Sequence, residues 1–460
     1  MLTLECKTLF YGTDNSRRFI ALSPLLKSVS NGRLFKKIYE EISEIPVVDI
    51  HTHLNHRKLR ANDLSDIILY HYIATELAAS GMPREILNVE DPQERIRKCL
   101  PFLKNIRNTS TFWALKQILS NLFEFGEDLN DESLSKLQEK FQVFERSFDG
   151  AIFLKERLRM DRVFLTLQFA DRDTAFDPAF FTGSLRFESL SKDLSHEALK
   201  KLEEIALLEI KNHNDFRDGI ITVFQRFERI VHSIALSLNP SEIIIDPDET
   251  RVDEAIEKIR LGKQLAFDDK IHILSFTVDT FLKLMEGKSI TFQLMLGVER
   301  PVIGASPPDY AIVVNEPRQL FSLCPLFHKY SEVNFDVISA SRMQTHELNV
   351  ISKNYSNVFV SGFWWYSYYP SLMNERIVER LQMLPMNKWC AFFSDAYVPE
   401  WCFGKLQLVK NQMTLALSSL VEQGYLDMET ALETARKLLY ENAVDIYYLK
   451  VKKHEKAIRP

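Results

Sequence analysis

The chain has 460 residues, of which 46% are hydrophobic and 26% are charged, and its net charge is −6. These proportions are typical of globular proteins and exclude an intrinsically disordered chain; the length suits one large domain or several ordinary ones. The acidic balance provides no basic surface for a phosphate backbone, so we expect no nucleic-acid partner.

Three features predict a protein of a reducing compartment with no membrane partner. No run of apolar residues approaches the ~18 that span a bilayer. The five cysteines are odd in number and lack CxxC spacing, which argues against a disulfide framework and against a cysteine zinc site. Glu5 and Lys7 interrupt the apolar residues at the start of the chain, unlike a signal peptide. We therefore expect a cytoplasmic location.

Short runs rich in Val, Ile and Phe alternate with helical patterns along the chain. Residues 1–45 indicate a helical lead-in, and the first strand of the main domain lies within 46–53. Residues 54–161 show helical patterns only, which predicts an insertion after that strand. The main domain resumes over 162–448, and 449–460 form a short basic tail. The eight predicted strands are 46–51, 162–169, 183–187, 242–246, 289–296, 333–339, 357–363 and 389–395.

Most of these runs lack polar alternation, which is typical of parallel strands that are buried on both faces. Eight such strands alternating with helices predict an α/β fold of the (β/α)8 TIM-barrel type. The predicted barrel carries the helical insertion after strand 1 and helical N- and C-terminal extensions.

The stretch VVDIHTHL places His51 and His53 at the carboxyl end of the first strand. Residues two apart in a strand point to the same side, so both imidazoles are expected at the barrel mouth, where active sites of this fold lie. Two imidazoles there can hold a divalent ion, with Asp49 one step deeper as a supporting residue. Two histidines at this spacing also occur by chance, so the motif alone leaves a metal site and an accident open.

Asp395 ends the last predicted strand, CAFFSD, where a carboxylate has no packing role. At a barrel mouth it can ligate a metal, act as a general base, or do both. On local grounds it can equally cap the helix that follows.

The pairing of HxH on strand 1 with Asp on strand 8 resembles the amidohydrolase superfamily, and further motifs resemble its uronate isomerase branch. After HxHL the insertion carries a His-Tyr pair, His71 and Tyr72. Other matching residues are Arg186 at the end of the third strand, Gln293, Gly297 and Arg300 in FQLMLGVER, and Trp364, Trp365 and Met373 in GFWWYSYYPSLM. The resemblance covers about residues 45 to 448.

The resemblance implies an aldose–ketose isomerase that interconverts D-glucuronate or D-galacturonate with D-fructuronate or D-tagaturonate. It implies a mononuclear metal, with zinc the expected identity, on His51, His53 and Asp395. Asp395 would also act as a base, with His71 and Tyr72 as proton donor or hydrogen-bond partner at the carbonyl end. A sugar acid is the expected partner, and homo-oligomerisation is left open. The implied substrate-binding residues are Arg186, Arg300, Trp364, Trp365 and Tyr397.

Three departures from the family pattern leave rival functions open. Tyr397 stands in place of an arginine, Met295 in place of a histidine, and Pro247 is expected in place of a histidine on strand four. A tyrosine replaces a bidentate carboxylate partner only weakly. The rivals are a mononuclear metal-dependent hydrolase and a non-catalytic relative that binds a sugar acid. Lys405 and Arg376 are further cations, for which we expect a solvated surface role.

Overall fold

Eight parallel strands, paired in chain order, form one curved sheet in the computed structural model, which describes residues 32–364 and 366–450. Parallel neighbours in chain order are the arrangement of a (β/α)8 barrel, so the predicted fold class is confirmed. The strands are β1 Val47–Thr52, β2 Met160–Gln168, β3 Phe181–Arg186, β4 Val231–Ser237, β5 Thr291–Leu296, β6 Phe335–Ser339, β7 Val358–Ser361 and β8 Trp389–Cys390.

The sheet closes beyond the last regular strand. Asp395 N–H donates to His51 O, and His53 N–H donates to Ala396 O, each with a donor–acceptor distance of 2.9 Å. These two bonds join the end of β1 to the segment after β8. Closure therefore takes place at the level of the two histidines of the HxH motif.

The insertion between β1 and β2 is helical, as the sequence predicts. Its first helices carry the His-Tyr pair toward the barrel mouth, since α3 begins at His71. Local signals set its other helices: Asp91 accepts from the first turn of α4, and Pro92 follows at the first helical position. The helices are α1 Gly32–Glu44 before the barrel, then α2 Ser65–Ile68, α3 His71–Ala79, α4 Pro92–Leu103, α5 Ser110–Leu122, α6 Asp131–Ser147 and α7 Gly150–Ile152.

The remaining helices surround the sheet or follow it. They are α8 His196–Ala206, α9 His213–Phe227, α10 Glu249–Arg260, α11 Phe267–Met285, α12 Pro317–Lys329, α13 Gln344–Asn354, α14 Pro370–Met383, α15 Pro399–Glu422, α16 Met428–Arg436 and α17 Asn442–Ile446. Helix α15 is buried along most of its length, between α1, α5 and α14. No helix in the described ranges is both long and apolar enough to cross a membrane.

Two predicted strands need correction. The fourth strand is Val231–Ser237, and residues 242–246 form a loop. His232, Ser233 and Ser237 make its sequence less apolar, although Ser233 is satisfied inside the sheet by a 2.7 Å bond to Ser184 Oγ. Pro247 is therefore not at a strand end, and its assignment to the position of the family histidine on strand four is wrong. The eighth strand is regular only over Trp389–Cys390, not over 389–395.

The structure describes only part of the predicted N-terminal lead-in and of the predicted C-terminal tail. Helix α1 accounts for Gly32–Glu44 of the predicted lead-in. The rest of the lead-in and residues 451–460 of the predicted tail lie outside the described residues.

Candidate active site and metal centre

His51, His53 and Asp395 converge at the mouth of the barrel. Asp395 Oδ1 lies 3.4 Å from His51 Nε2 and 3.3 Å from His53 Nε2. The three potential ligand atoms lie within 4.8 Å of one another. His51 and Asp395 are buried, whereas His53 is partly open to the cavity. Two imidazoles and a carboxylate at this spacing, with one open side, form a suitable donor set for a catalytic divalent ion.

The unpaired nitrogen of His51 supports the fit of a metal. His51 Nε2 is buried and has no hydrogen-bond partner in the described part of the chain. An uncompensated buried polar atom is costly, and a ligated ion removes that cost.

A buried hydrogen-bond chain fixes the tautomer of His51. Gln293 Nε2 donates to the carbonyl of Ile50 at 3.3 Å, and a carbonyl can only accept. Gln293 Oε1 must then face His51 Nδ1, 3.2 Å away, so Nδ1 carries the proton. The lone pair of Nε2 is left to point toward Asp395 and an ion, as in other histidine metal ligands.

The chain continues below Gln293 to a buried acid. Gln293 Nε2 also donates to Tyr447 Oη at 2.7 Å, and Tyr447 O–H donates to Asp336 Oδ2. Burial raises the pKa of Asp336 to about 6. Every bond of the chain points from His51 toward Asp336, so the chain increases the basicity of the metal-facing nitrogen.

Asp395 is held from the side opposite the histidines. Tyr72 O–H donates to Asp395 Oδ2 at 2.9 Å, and Lys405 Nζ donates to Tyr72 Oη at 3.2 Å. Burial alone would raise the pKa of Asp395, but the adjacent His51 and His53 imidazoles and the charge of Lys405 hold it well below its usual range. Asp395 has a φ of 51°, in the left-handed region that residues other than glycine seldom adopt.

The predicted surface positions of Lys405 and Arg376 are both wrong. Lys405 is not on a solvated surface: it is buried in α15, and burial lowers its pKa to about 8. Arg376 is also buried, and it donates to the carbonyls of Ser339 at 3.1 Å and Ser341 at 2.7 Å. Asp49 accepts from Ser394 N–H at 2.8 Å, so it supports the segment that carries Asp395.

A cavity of about 470 Å³ opens over the three ligands. His71 reaches this cavity, and burial lowers the pKa of His71 to about 3, so its imidazole is neutral. Tyr72 contributes nothing to the lining and lies behind the carboxylate of Asp395. The predicted site residues in the lining are His51, His53, His71, Arg186, Arg300, Trp364, Asp395 and Tyr397. Trp365 lies outside the described residues.

The two candidate arginines differ in their partners. Arg186 is paired with Glu188 through two of its nitrogens, one of them at 3.0 Å, and both side chains are largely buried. Arg300 forms no ion pair with any described residue and lies over the ring of Trp364, 5.5 Å from its centroid. Arg300 is therefore the cation that is available for an incoming anion.

The replacements Tyr397 and Met295 both face the cavity. The Tyr397 ring stacks on His53 with centroids 4.7 Å apart and planes at 10°, and it is 53% exposed. Met295 Sδ is 3.7 Å from Arg186 Nη1. These departures thus alter the cavity wall and leave the three metal-facing groups in place.

Sequence reasoning missed Asp309, whose carboxylate borders the cavity from the loop between the short strands Val298–Glu299 and Ile312–Val313. No local pattern marks it, because it stands in a stretch rich in proline and small residues. It also missed the role of Tyr447, which reaches the site from the far end of the chain.

No protein-family model matches the chain, and no curated protein sequence matches it. Solved structures do. A uronate isomerase from Thermotoga maritima is 16% identical with a TM-score of 0.82, and covers 90% of this chain and 97% of its own. A glucuronate isomerase from Caulobacter crescentus is 14% identical with a TM-score of 0.81, covering 94% and 97%. A uronate isomerase from Bacillus halodurans C-125 is 20% identical with a TM-score of 0.72, covering 92% and 100%.

Over most of its length, therefore, the chain has the fold of these uronate isomerases. At such identities the likeness establishes the fold, and the reaction has to be argued from the site.

Proposed function

We propose that this protein is a uronate isomerase that interconverts a hexuronate and its keto acid at a mononuclear metal site. The observation that carries the proposal is the convergence of His51, His53 and Asp395 at the mouth of a barrel with the uronate isomerase fold. D-Glucuronate and D-galacturonate are the proposed substrates, with D-fructuronate and D-tagaturonate as products.

Arg300 supports an acidic sugar as the substrate. Its guanidinium borders the same cavity as the three ligands and has no carboxylate partner among the described residues. A charge-assisted, bidentate bond to a carboxylate is the strongest interaction that this side chain can make. We place the C6 carboxylate at Arg300 and the C1–C2 end at His51, His53 and Asp395. Arg186 then has a supporting role, because Glu188 already neutralises it.

The chain's own residues can move the proton that isomerisation requires. The C2 proton leaves for Asp395 and is returned to C1, while hydrogen passes from the C2 hydroxyl to the C1 oxygen. Asp395 is ionised, so it can accept the proton. Tyr72 orients the carboxylate, and the neutral His71 imidazole can serve the oxygens as donor or acceptor.

Zinc is the ion we propose, because two imidazoles, one carboxylate and an open position are a common catalytic zinc set. When bound, a divalent ion supplies positive charge to the sugar oxygens and so acidifies the C2–H bond. The four cysteines in the described part of the chain are free thiols, which supports the proposed cytoplasmic location.

Proton NMR of the metal-loaded protein with each uronate in D2O tests the proposal. We expect ketose signals to grow and solvent deuterium to enter at the former C2 or C1 position. Asp395→Asn should abolish the growth, whereas His346→Gln, a change at an exposed histidine on α13, should not.

Silence with both uronates, from a folded and metal-loaded protein, would contradict the proposal. Turnover of esters or amides by the same preparation would then indicate a hydrolase that uses the same three residues. Binding of a sugar acid without any turnover would indicate a non-catalytic relative.

A further inference from the structure

Asp309 has one carboxylate oxygen that nothing in the described structure satisfies. Its Oδ2 is buried and without a hydrogen-bond partner. Burial raises the pKa of Asp309, although the positive charge of Arg300 opposes the rise. A carboxylate oxygen in such a position is costly unless a ligand donates to it.

The loop that carries Asp309 is held in place on both sides. On one side, Thr75 Oγ1 donates to Pro307 O at 3.1 Å, and Arg84 donates to Gly304 O at 2.7 Å. On the other side, Tyr366 O–H donates to Ala311 O at 2.9 Å. These bonds tie the loop to the helical insertion and to the segment after β7, so the carboxylate is positioned in advance.

Asp309 lies where two cavities meet. It borders the 470 Å³ cavity over the metal centre and an adjoining cavity of about 700 Å³ that reaches toward α2 and α4. His53, His71 and Tyr397 border both cavities with it. Asp309 thus shares one cavity wall with His53, at the metal end, and with Arg300, at the proposed carboxylate end.

A six-carbon chain bound between the metal centre and Arg300 presents its middle hydroxyls to this wall. We propose that Asp309 accepts hydrogen bonds from these hydroxyls and is a specificity-determining residue for polyhydroxylated acids. The inference rests on the proposed function for the placement of the two ends of the substrate. It adds that hydroxyl groups of the chain, and not only its charge, are recognised.

Two diacids that cannot be isomerised separate hydroxyl recognition from charge. D-Glucarate has the C6 carboxylate and the middle hydroxyls of an open-chain hexuronate, with a second carboxylate in place of the aldehyde, and adipate has the same two carboxylates without the hydroxyls. The Kd of each is measured by titration calorimetry with metal-loaded protein that is free of excess ion. The variants are Asp309→Leu, which removes both acceptors at similar size, and Asp309→Asn, which keeps one acceptor oxygen.

For Asp309→Leu we expect the Kd for D-glucarate to rise at least ~10-fold, since hydrogen bonds to charged groups are lost. The Kd for adipate should stay unchanged or fall, since a negative charge has been removed. Asp309→Asn should show a smaller rise for D-glucarate, and it provides the test if the leucine variant fails to fold. Asp66→Leu is the matched control, because Asp66 borders only the adjoining cavity.

Equal weakening of both diacids would mean a structural role for Asp309 and would overturn the inference. Equal tightening of both, or no binding of D-glucarate to the unaltered protein, would also overturn it. The isomerisation experiment is independent of this outcome. Asp309-dependent binding of D-glucarate without turnover of any uronate would refute the isomerase and leave the inference standing.

Discussion

Replacing Gln293 by leucine should weaken metal binding without removing a ligand. Leucine has a similar size, and Gln293 is fully buried, so packing changes little. The substitution removes the acceptor of His51 Nδ1–H at 3.2 Å and the donors to Ile50 O at 3.3 Å and Tyr447 Oη at 2.7 Å. The proton of His51 is then free to move to Nε2, which is 3.4 Å from Asp395 Oδ1. That tautomer blocks the nitrogen that faces the metal.

The structure sets the size of the effect. Loss of a supporting residue around a metal ligand costs about 10- to 100-fold in affinity, or about 1.4–2.8 kcal/mol. The bond from His51 to Gln293 is at the long end of the normal range, so we expect the lower part, ~10- to 30-fold.

Competition with a chromophoric chelator at fixed pH measures the affinity for zinc. Gln407→Leu is the matched control, because Gln407 is a buried glutamine on α15 that accepts from Tyr39 O–H at 2.8 Å. The control should keep its zinc affinity within about threefold of the unaltered protein, well short of the loss expected at Gln293. Zinc affinity of Gln293→Leu equal to that of the unaltered protein would contradict this prediction, as would an equal loss of zinc affinity in Gln407→Leu.

Four further predictions concern other residues. Asp395→Asn should lower kcat roughly 10²- to 10⁴-fold, and unchanged turnover in the NMR assay would remove Asp395 from the mechanism. Arg300→Met should weaken uronate binding about 10-fold or more, because an unpaired cation is lost. Arg186→Met should mainly lower the free energy of unfolding, because Glu188 is left buried without its partner. The KM of Arg300→Met and Arg186→Met, together with their unfolding in denaturant, separates lost substrate binding from lost stability. Burial raises the pKa of Glu400 from 4.5 to about 7, so its contribution to stability is fully present below pH 4.5 and lost as the pH rises through 7. The free energy of unfolding of Glu400→Gln, relative to that of the unaltered protein, should therefore be ~3 kcal/mol higher at pH 8 than at pH 4. Parallel curves of unfolding free energy against pH for the two proteins would contradict this.

Patterns along the chain were enough to predict the barrel and to place His51 and His53 at its mouth, since both follow a buried strand at a two-residue spacing. Local sequence left the role of these histidines and of Asp395 open, and the resemblance to the uronate isomerase family was needed to combine the three into one candidate metal site. The strand Val231–Ser237 escaped prediction because His232 and two serines interrupt its apolar residues. Ser184, the partner that satisfies Ser233, lies on another strand, outside any local window.

The supporting residues could not be placed in the same way. Lysines are seldom buried, so the sequence predicts a surface position for Lys405. The first turns of α15 hold a contrary signal, since Trp401, Cys402 and Phe403 are consecutive apolar residues just before Lys405, in a helix that is buried on most sides. Asp309 had no such signal, because its loop is positioned by bonds to segments that are distant in sequence.

The same contacts bear on Tyr397, for which the family resemblance implies an arginine. An anion needs one unpaired cation within reach, and Arg300 meets that need, since no acidic side chain in the described ranges pairs with it. Tyr397 instead stacks on His53, which restrains the more exposed of the two imidazoles. Tyr397 and Asp309 both border the cavity, so its wall offers an aromatic face and a carboxylate acceptor. If the proposed placement holds, Asp309 adds recognition of the middle hydroxyls to the recognition of the end carboxylate by Arg300, and D-glucarate and adipate would reveal that preference.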